Sequence, residues 1–135
     1  VTRNQKELKN QIIVKNGREA LGKIAQYWKS QSKIPLVAIT GSNGKTTTKE
    51  MIASIVSAHL KSNKKLLMSQ GNFNNDIGLP LTIFNLNSPH SHLVLEMGMN
   101  HANEIRYLAN IAPPNLAVIT NIGEAHIENF KNSSF

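Results

Sequence analysis

With 135 residues and no cysteine, the chain is about the size of one domain, and disulfides, thiolate metal sites and cysteine nucleophiles are excluded. A formal charge of +7 raises nucleic acid as a partner. However, Arg3, Lys6, Lys9, Lys15, Arg18 and Lys23 are scattered, only Lys61, Lys64 and Lys65 cluster, and stacking aromatics are few, which argues against that reading.

No apolar run approaches the ~20 residues of a bilayer span. No secretory signal is visible, and a cytoplasmic location is expected. Residues 1–14 are polar and basic apart from Leu8, Ile12, Ile13 and Val14, and read as the remains of something larger. After the turn at Asn16-Gly17, Leu21, Ile24, Ala25 and Trp28 recur at the spacing of one helix face. This predicts a helix that buries those side chains, with Trp28 as a packing residue.

A polar connection from Ser30 to Pro35 leads into the apolar run Leu36–Thr40, the first expected strand. Met51, Ile52, Ile55, Val56 and Leu60 mark a helix starting near Thr46, and Leu66-Leu67-Met68 reads as a short buried strand. Pro80 suits the first turn of a helix through Leu86. Leu93-Val94-Leu95 is the next strand. Asn100 is the expected cap of a helix carrying Ile105, Leu108 and Ala112, which Pro113-Pro114 stops. Leu116–Ile119 is the last strand. Apolar strands separated by amphipathic helices predict an α/β fold, a mostly parallel sheet covered on both faces, whose ligands bind beyond the carboxyl ends of the strands.

The informative residues follow those strands. Thr40-Gly41-Ser42-Asn43-Gly44-Lys45-Thr46-Thr47 lies at a strand-to-helix turn, where unpaired N–H groups and the helix dipole favour phosphate. Gly41 and Gly44 let the backbone approach, Lys45 adds a point charge, and the Thr46 hydroxyl is placed to ligate magnesium. The general phosphate-loop pattern would need a glycine where Ile39 stands. Glu96 ends a strand and is a candidate magnesium ligand. The loop Gly71–Gly78, with Asn74, Asn75 and Asp76, can clasp a polar substrate or be a plain turn. His126, after the last strand, can be a metal ligand, a base or a surface residue. No catalytic role is expected for His59, His90 or His92, and His101 stays open.

The short loop resembles that of the Mur ligase and folylpolyglutamate synthase superfamily. Together with Gly71–Pro80, Glu96–Ile105 and Thr120–Phe130, it resembles the central ATPase domain of the Mur ligases, within them the D-alanyl-D-alanine-adding type. Ala125 stands where other Mur ligases carry an aspartate, as in that type. The resemblance implies a P-loop domain that uses ATP and magnesium to join D-alanyl-D-alanine to a UDP-muramoyl tripeptide through an acyl phosphate, in an enzyme expected to be a monomer.

By this resemblance Gly41, Ser42, Asn43, Gly44, Lys45, Thr46, Thr47 and Asn121 hold ATP, and Lys45, Glu96 and His126 are catalytic. Thr46, Glu96 and His126 hold magnesium, and Asn74, Asn75 and Asp76 lie beside the muramoyl substrate. Residues 1–33 would be the tail of a substrate domain with its linking helix, and 34–135 the first part of the ATP-binding domain. A carbamylated lysine, adenine-binding residues and a carboxy-terminal domain would follow, so these 135 residues are expected to be inactive alone. A different amide ligase on the same core, or a nucleotide-binding module without ligase activity, are the alternatives.

Overall fold

Helices and strands alternate along residues 10–123, the part of the chain described by the computed structural model. They are α1 (Gly17–Ser30), β1 (Leu36–Thr40), α2 (Lys45–His59), β2 (Lys65–Met68), α3 (Gly78–Phe84), β3 (His90–Glu96), α4 (Glu104–Ile111) and β4 (Leu116–Ile119). The four strands form one parallel sheet in the order β2-β3-β1-β4. Each connection between parallel strands is a helical crossover, as that geometry requires.

Strand alternation divides the interior. Leu36 and Ala38 pair in register with Leu93 and Leu95. On that face they join Ala25 of α1, Leu79 and Ile83 of α3, and Leu108 and Ile111 of α4. The opposite face, with Ile39, Val94 and Glu96, receives α2. Burying a side chain such as Leu93 or Ile83 completely is worth about 1.5–3 kcal/mol. Among the strands, β1 and β3 alone supply fully buried core side chains. Coverage on both faces holds only there. At the edges β2 is half-buried rather than buried, and Leu116 and Ile119 of β4 stay exposed.

The helix faces are rotated from those the apolar spacing predicts. In α1 the buried positions are Gly22, Ala25 and Lys29, while Ile24 and Trp28 are exposed. Trp28 only rests against the core, its indole N–H donating to the Leu86 carbonyl at 3.2 Å. The cause is close packing on α4. A Cβ on Gly22 would lie 2.2 Å from the Tyr107 hydroxyl oxygen and 3.0 Å from Ile111 Cδ1. The helix thus turns its bare position inward. In α2, likewise, Met51 and Ile55 face outward and Lys49 and Ala53 are buried. Gly22→Ala should lower stability by about 1–3 kcal/mol through overpacking. Adding Tyr107→Phe, which deletes the clashing oxygen, should restore much of it in denaturant melts; equal destabilisation of single and double variants would refute this contact as the cause.

Two helix starts also differ from expectation in detail. Asn16 caps α1, its Oδ1 accepting from the N–H groups of Arg18 and Glu19 at 3.0 and 3.2 Å. Asn100 does not cap α4. Instead the Glu104 carboxylate reaches back to the Asn100 and His101 N–H groups at 2.6 and 3.1 Å, and Asn103 takes the cap position in a left-handed conformation. The Glu104 carboxylate thus fixes the turn that leads into α4 rather than capping the helix's own first-turn donors.

Candidate nucleotide site

The carboxyl ends of the strands converge on the loop between β1 and α2. Gly41 and Gly44 both have positive φ, 135° and 78°, which glycine adopts without steric cost. At Gly41 space is limiting as well, because a Cβ there would lie 2.1 Å from the Thr120 hydroxyl. Gly44 occupies the cap position of α2, and no side chain caps that end. The first-turn N–H groups of α2 are therefore presented toward the loop as an anion cradle. The Lys45 ammonium folds over the loop, donating to the carbonyls of Gly41 at 2.6 Å and Ser42 at 3.1 Å.

The segment after β4 clamps the loop from the other side. Asn121 Oδ1 accepts from the Asn43 N–H at 2.9 Å, and the Asn121 carbonyl accepts from the Ser42 N–H at 3.2 Å. Thr120 Oγ1 donates to the Asn43 carbonyl, and Ser42 Oγ exchanges hydrogen bonds with Gly123. Sequence reasoning placed Asn121 near the nucleotide but missed Thr120. Its signals were a hydroxyl residue directly after a strand and its place at the head of the Thr120–Phe130 stretch.

Glu96 links the loop to the rest of the site. The residue is 3% exposed. Oε2 accepts from Thr46 Oγ1 and Oε1 from Asn74 Nδ2, each at 2.9 Å. Thr46 and Glu96 thus offer two hard oxygen donors beside the helix N-terminus, the donor chemistry magnesium takes. Among the described residues no group of three or more His, Asp or Glu gathers as a metal cage. A phosphate-loop magnesium needs none, since it draws the rest of its shell from water and phosphate oxygens. His126 lies outside the described residues.

The Asn-rich loop divides its work. Asn74 turns to Glu96, and its carbonyl accepts from the Gly98 N–H at 2.8 Å. Asn75 is exposed and lines the same cleft as Lys45, its Oδ1 accepting from the Ile77 and Gly78 N–H groups at 3.2 and 2.8 Å. That oxygen also supports the start of α3. Asp76 forms a 3.2 Å ion pair with Arg18 of α1. Lys45, Asn74, Asp76 and Arg18 share a cleft of about 330 Å³ with His101, Glu104 and Tyr107. The structure brings together Gly41–Lys45, Thr46, Glu96, Asn74 and Asn121. His59 and His90 lie apart from this cleft, with Ile55 and Asn87 as their partners.

Two groups on the cleft wall have shifted proton affinity. The Asn100 N–H, donating to Glu104, holds that carboxyl below its ordinary value of 4.5; partial burial opposes this, and the His101 N–H and ring add to it. Burial raises the Tyr107 hydroxyl, and the negative charges of Asp76 and Glu19 raise it further. For Glu104 the sign follows from linkage. The stabilisation is complete above pH 4.5 and disappears as pH falls through the lower folded-state value. Glu104→Gln should melt earlier than the parent at pH 7 and converge with it in strong acid. A gap that persists at all pH values would show that the charge is not responsible.

A glycine-bent strand-to-helix loop with lysine and threonine in register, at the carboxyl edge of a parallel sheet, defines an α/β domain of the phosphate-loop class. Within that class, the family model described as the Mur ligase middle domain matches residues 39–134, and the chain belongs to that family. The chain is 47% identical over 120 residues to the UDP-N-acetylmuramoyl-tripeptide–D-alanyl-D-alanine ligase of Haemophilus influenzae, covering 89% of this chain and 26% of that protein. It superimposes on a crystal structure of MurF from Acinetobacter baumannii with a TM-score of 0.88 at 40% identity, over 96% of this chain and 28% of that one. MurF ligase from Thermotoga maritima, crystallised in complex with ADP, gives 0.82 at 34% identity over 93% and 28%. The chain spans about a quarter of the length of the curated relatives it matches.

Proposed function

We propose that this chain is the ATP- and magnesium-binding part of a ligase that joins D-alanyl-D-alanine to a UDP-N-acetylmuramoyl tripeptide. The observation that carries the reading is the Thr46–Glu96 hydrogen bond at the N-terminus of α2, directly after the glycine loop. The names of the relatives supply the substrates, and the ADP complex of the Thermotoga neighbour supports the nucleotide. Residues 34–135 form the first part of the ATP-binding domain in this reading. Residues 1–33 are the tail of a preceding substrate domain and its linking helix.

In the reaction a carboxylate oxygen of the tripeptide bonds to the γ-phosphorus of ATP, while the bond from that phosphorus to the β–γ bridging oxygen breaks and ADP leaves. The amine of D-alanyl-D-alanine then attacks the acyl carbon, loses a proton and expels phosphate. Gly41–Thr47 hold the phosphate chain through backbone N–H groups, and Lys45 swings from the loop carbonyls to the outer phosphates. That positioning, with fixed donors aimed where charge develops, is most of what a protein contributes to phosphoryl transfer. Thr46 and Glu96 hold a magnesium ion, which neutralises phosphate charge when bound, and His126 holds a second. Asn74, Asn75 and Asp76, on the cleft wall with Lys45, face the muramoyl substrate, and Asn75 Oδ1 also supports the start of α3. The test is phosphate release by the complete ligase carrying this chain. It should require ATP, magnesium, the UDP-muramoyl tripeptide and D-alanyl-D-alanine together; turnover of a UDP-muramoyl dipeptide without D-alanyl-D-alanine would assign a different ligase.

A further inference from the structure

Lys49 is 1% exposed, the largest side chain fully enclosed among the described residues, and the proposed reaction does not use it. A buried ammonium costs free energy unless it is paired and hydrogen-bonded. Its Nζ donates to the Ser69 carbonyl at 2.9 Å and lies 3.1 Å from the Glu50 carboxylate. Ser69 is itself fully buried, immediately after β2, and its Oγ accepts the Glu96 N–H at 3.1 Å. One step earlier the ladder is ordinary, the Ser69 N–H donating to the Val94 carbonyl at 3.1 Å. At Glu96 the serine side chain takes over from the strand backbone, because β2 has ended at Met68.

We propose that Lys49 is a positioning residue for the metal-binding carboxylate, acting through Ser69. The same helix grips the end of β3 at two levels. Thr46 holds the Glu96 carboxylate, and Lys49, one helical turn later, fixes the Ser69 backbone whose hydroxyl fixes the Glu96 backbone. With the first turn of α2 also forming the phosphate cradle, this relay sets the distance between Glu96 and the cradle. Its metal consequence rests on the ATP–magnesium reading above; the hydrogen-bond relay itself does not.

The experiment measures ADP binding to the complete ligase carrying this chain with and without magnesium, and the magnesium concentration at half effect, for the parent, Lys49→Met and Ser69→Ala. Methionine replaces the buried ammonium with an apolar group of similar volume; the Glu50 carboxylate, more than half exposed, is left to water, and the Ser69 carbonyl loses its donor, which costs stability. Ser69→Ala deletes only the hydroxyl and serves if Lys49→Met fails to fold. Partners that orient a metal ligand typically contribute 10–100-fold to metal affinity. The magnesium midpoint should therefore rise about 10-fold in either variant, with metal-free ADP affinity unchanged. A folded variant with the parental midpoint overturns the proposal, as does equal weakening of ADP binding with and without metal. If the parent itself shows no magnesium effect, the proposed function fails instead. The relay is then judged by hydrogen exchange at the Glu96 amide, which should quicken in Lys49→Met and which, unchanged, overturns it.

Discussion

Replacing Lys45 with methionine should remove nucleotide binding while leaving the fold intact. The two effects separate because the ammonium's described hydrogen bonds do not reach the core. Its described partners are the Gly41 and Ser42 carbonyls, both within its own loop. A half-buried group bonded only to loop carbonyls adds little to global stability, and thermal unfolding should move by no more than a few degrees. Toward phosphate the balance is different. Hydrogen bonds between charged groups contribute about 1.5–3 kcal/mol each, and each 1.4 kcal/mol is tenfold in affinity. Two such contacts place the loss near 100-fold or beyond. Lys45→Arg should not rescue it, since a planar fork cannot take the place of a compact point charge curled over a tight loop. ADP affinity by calorimetry is the readout, and a methionine variant that binds within threefold of the parent would remove Lys45 from the site.

The sheet was legible in the sequence where one physical signal dominated. Leu36–Thr40 and Leu116–Ile119 were read with the bounds they have, because short apolar runs flanked by Pro, Gly and Asn leave few alternatives. The order β2-β3-β1-β4 was not legible, since it depends on which crossovers pack best and leaves no local mark. Helix faces failed for a related reason. α1 has apolar residues around a wide arc, including Leu21, Ile24, Ala25, Tyr27 and Trp28, and periodicity cannot choose among overlapping faces. Gly22 decided it by what it lacks.

In the site, residues with a distinctive chemical type stood out, and Lys45, Thr46, Asn74 and Glu96 lie together as their order along the chain suggested. Those acting through ordinary backbone contacts did not stand out. Ser69, Thr120 and Gly98 become visible only when strands distant in sequence are placed side by side. Lys49 was obscured by its charge, which composition alone assigns to the surface. Asn75 combines two tasks that its type alone does not separate: it lines the cleft beside Asn74 and Asp76, and its Oδ1 supports the start of α3.

Glu96→Gln should abolish the magnesium dependence of nucleotide binding with the fold preserved, and this is the sharper test of the site. The two oxygens of Glu96 accept from Thr46 and Asn74. A glutamine can keep both contacts. Its oxygen faces one partner, and its amide faces either the Thr46 hydroxyl, which can accept, or an Asn74 amide rotated to present its oxygen. Shape and hydrogen bonds survive, and the negative charge alone is lost. At an effective dielectric near 20, a unit charge about 4 Å from another is worth roughly 4 kcal/mol. Even after allowance for the ion's own hydration, magnesium should then strengthen ADP binding about 100-fold less than in the parent. Glu96→Ala should differ in kind. It takes the shared acceptor from Thr46 and the half-buried Asn74 and should cost about 1 kcal/mol of stability as well. If Glu96→Gln binds ADP with the full magnesium effect, the carboxylate has only a structural task between Thr46 and Asn74, and the metal is held elsewhere.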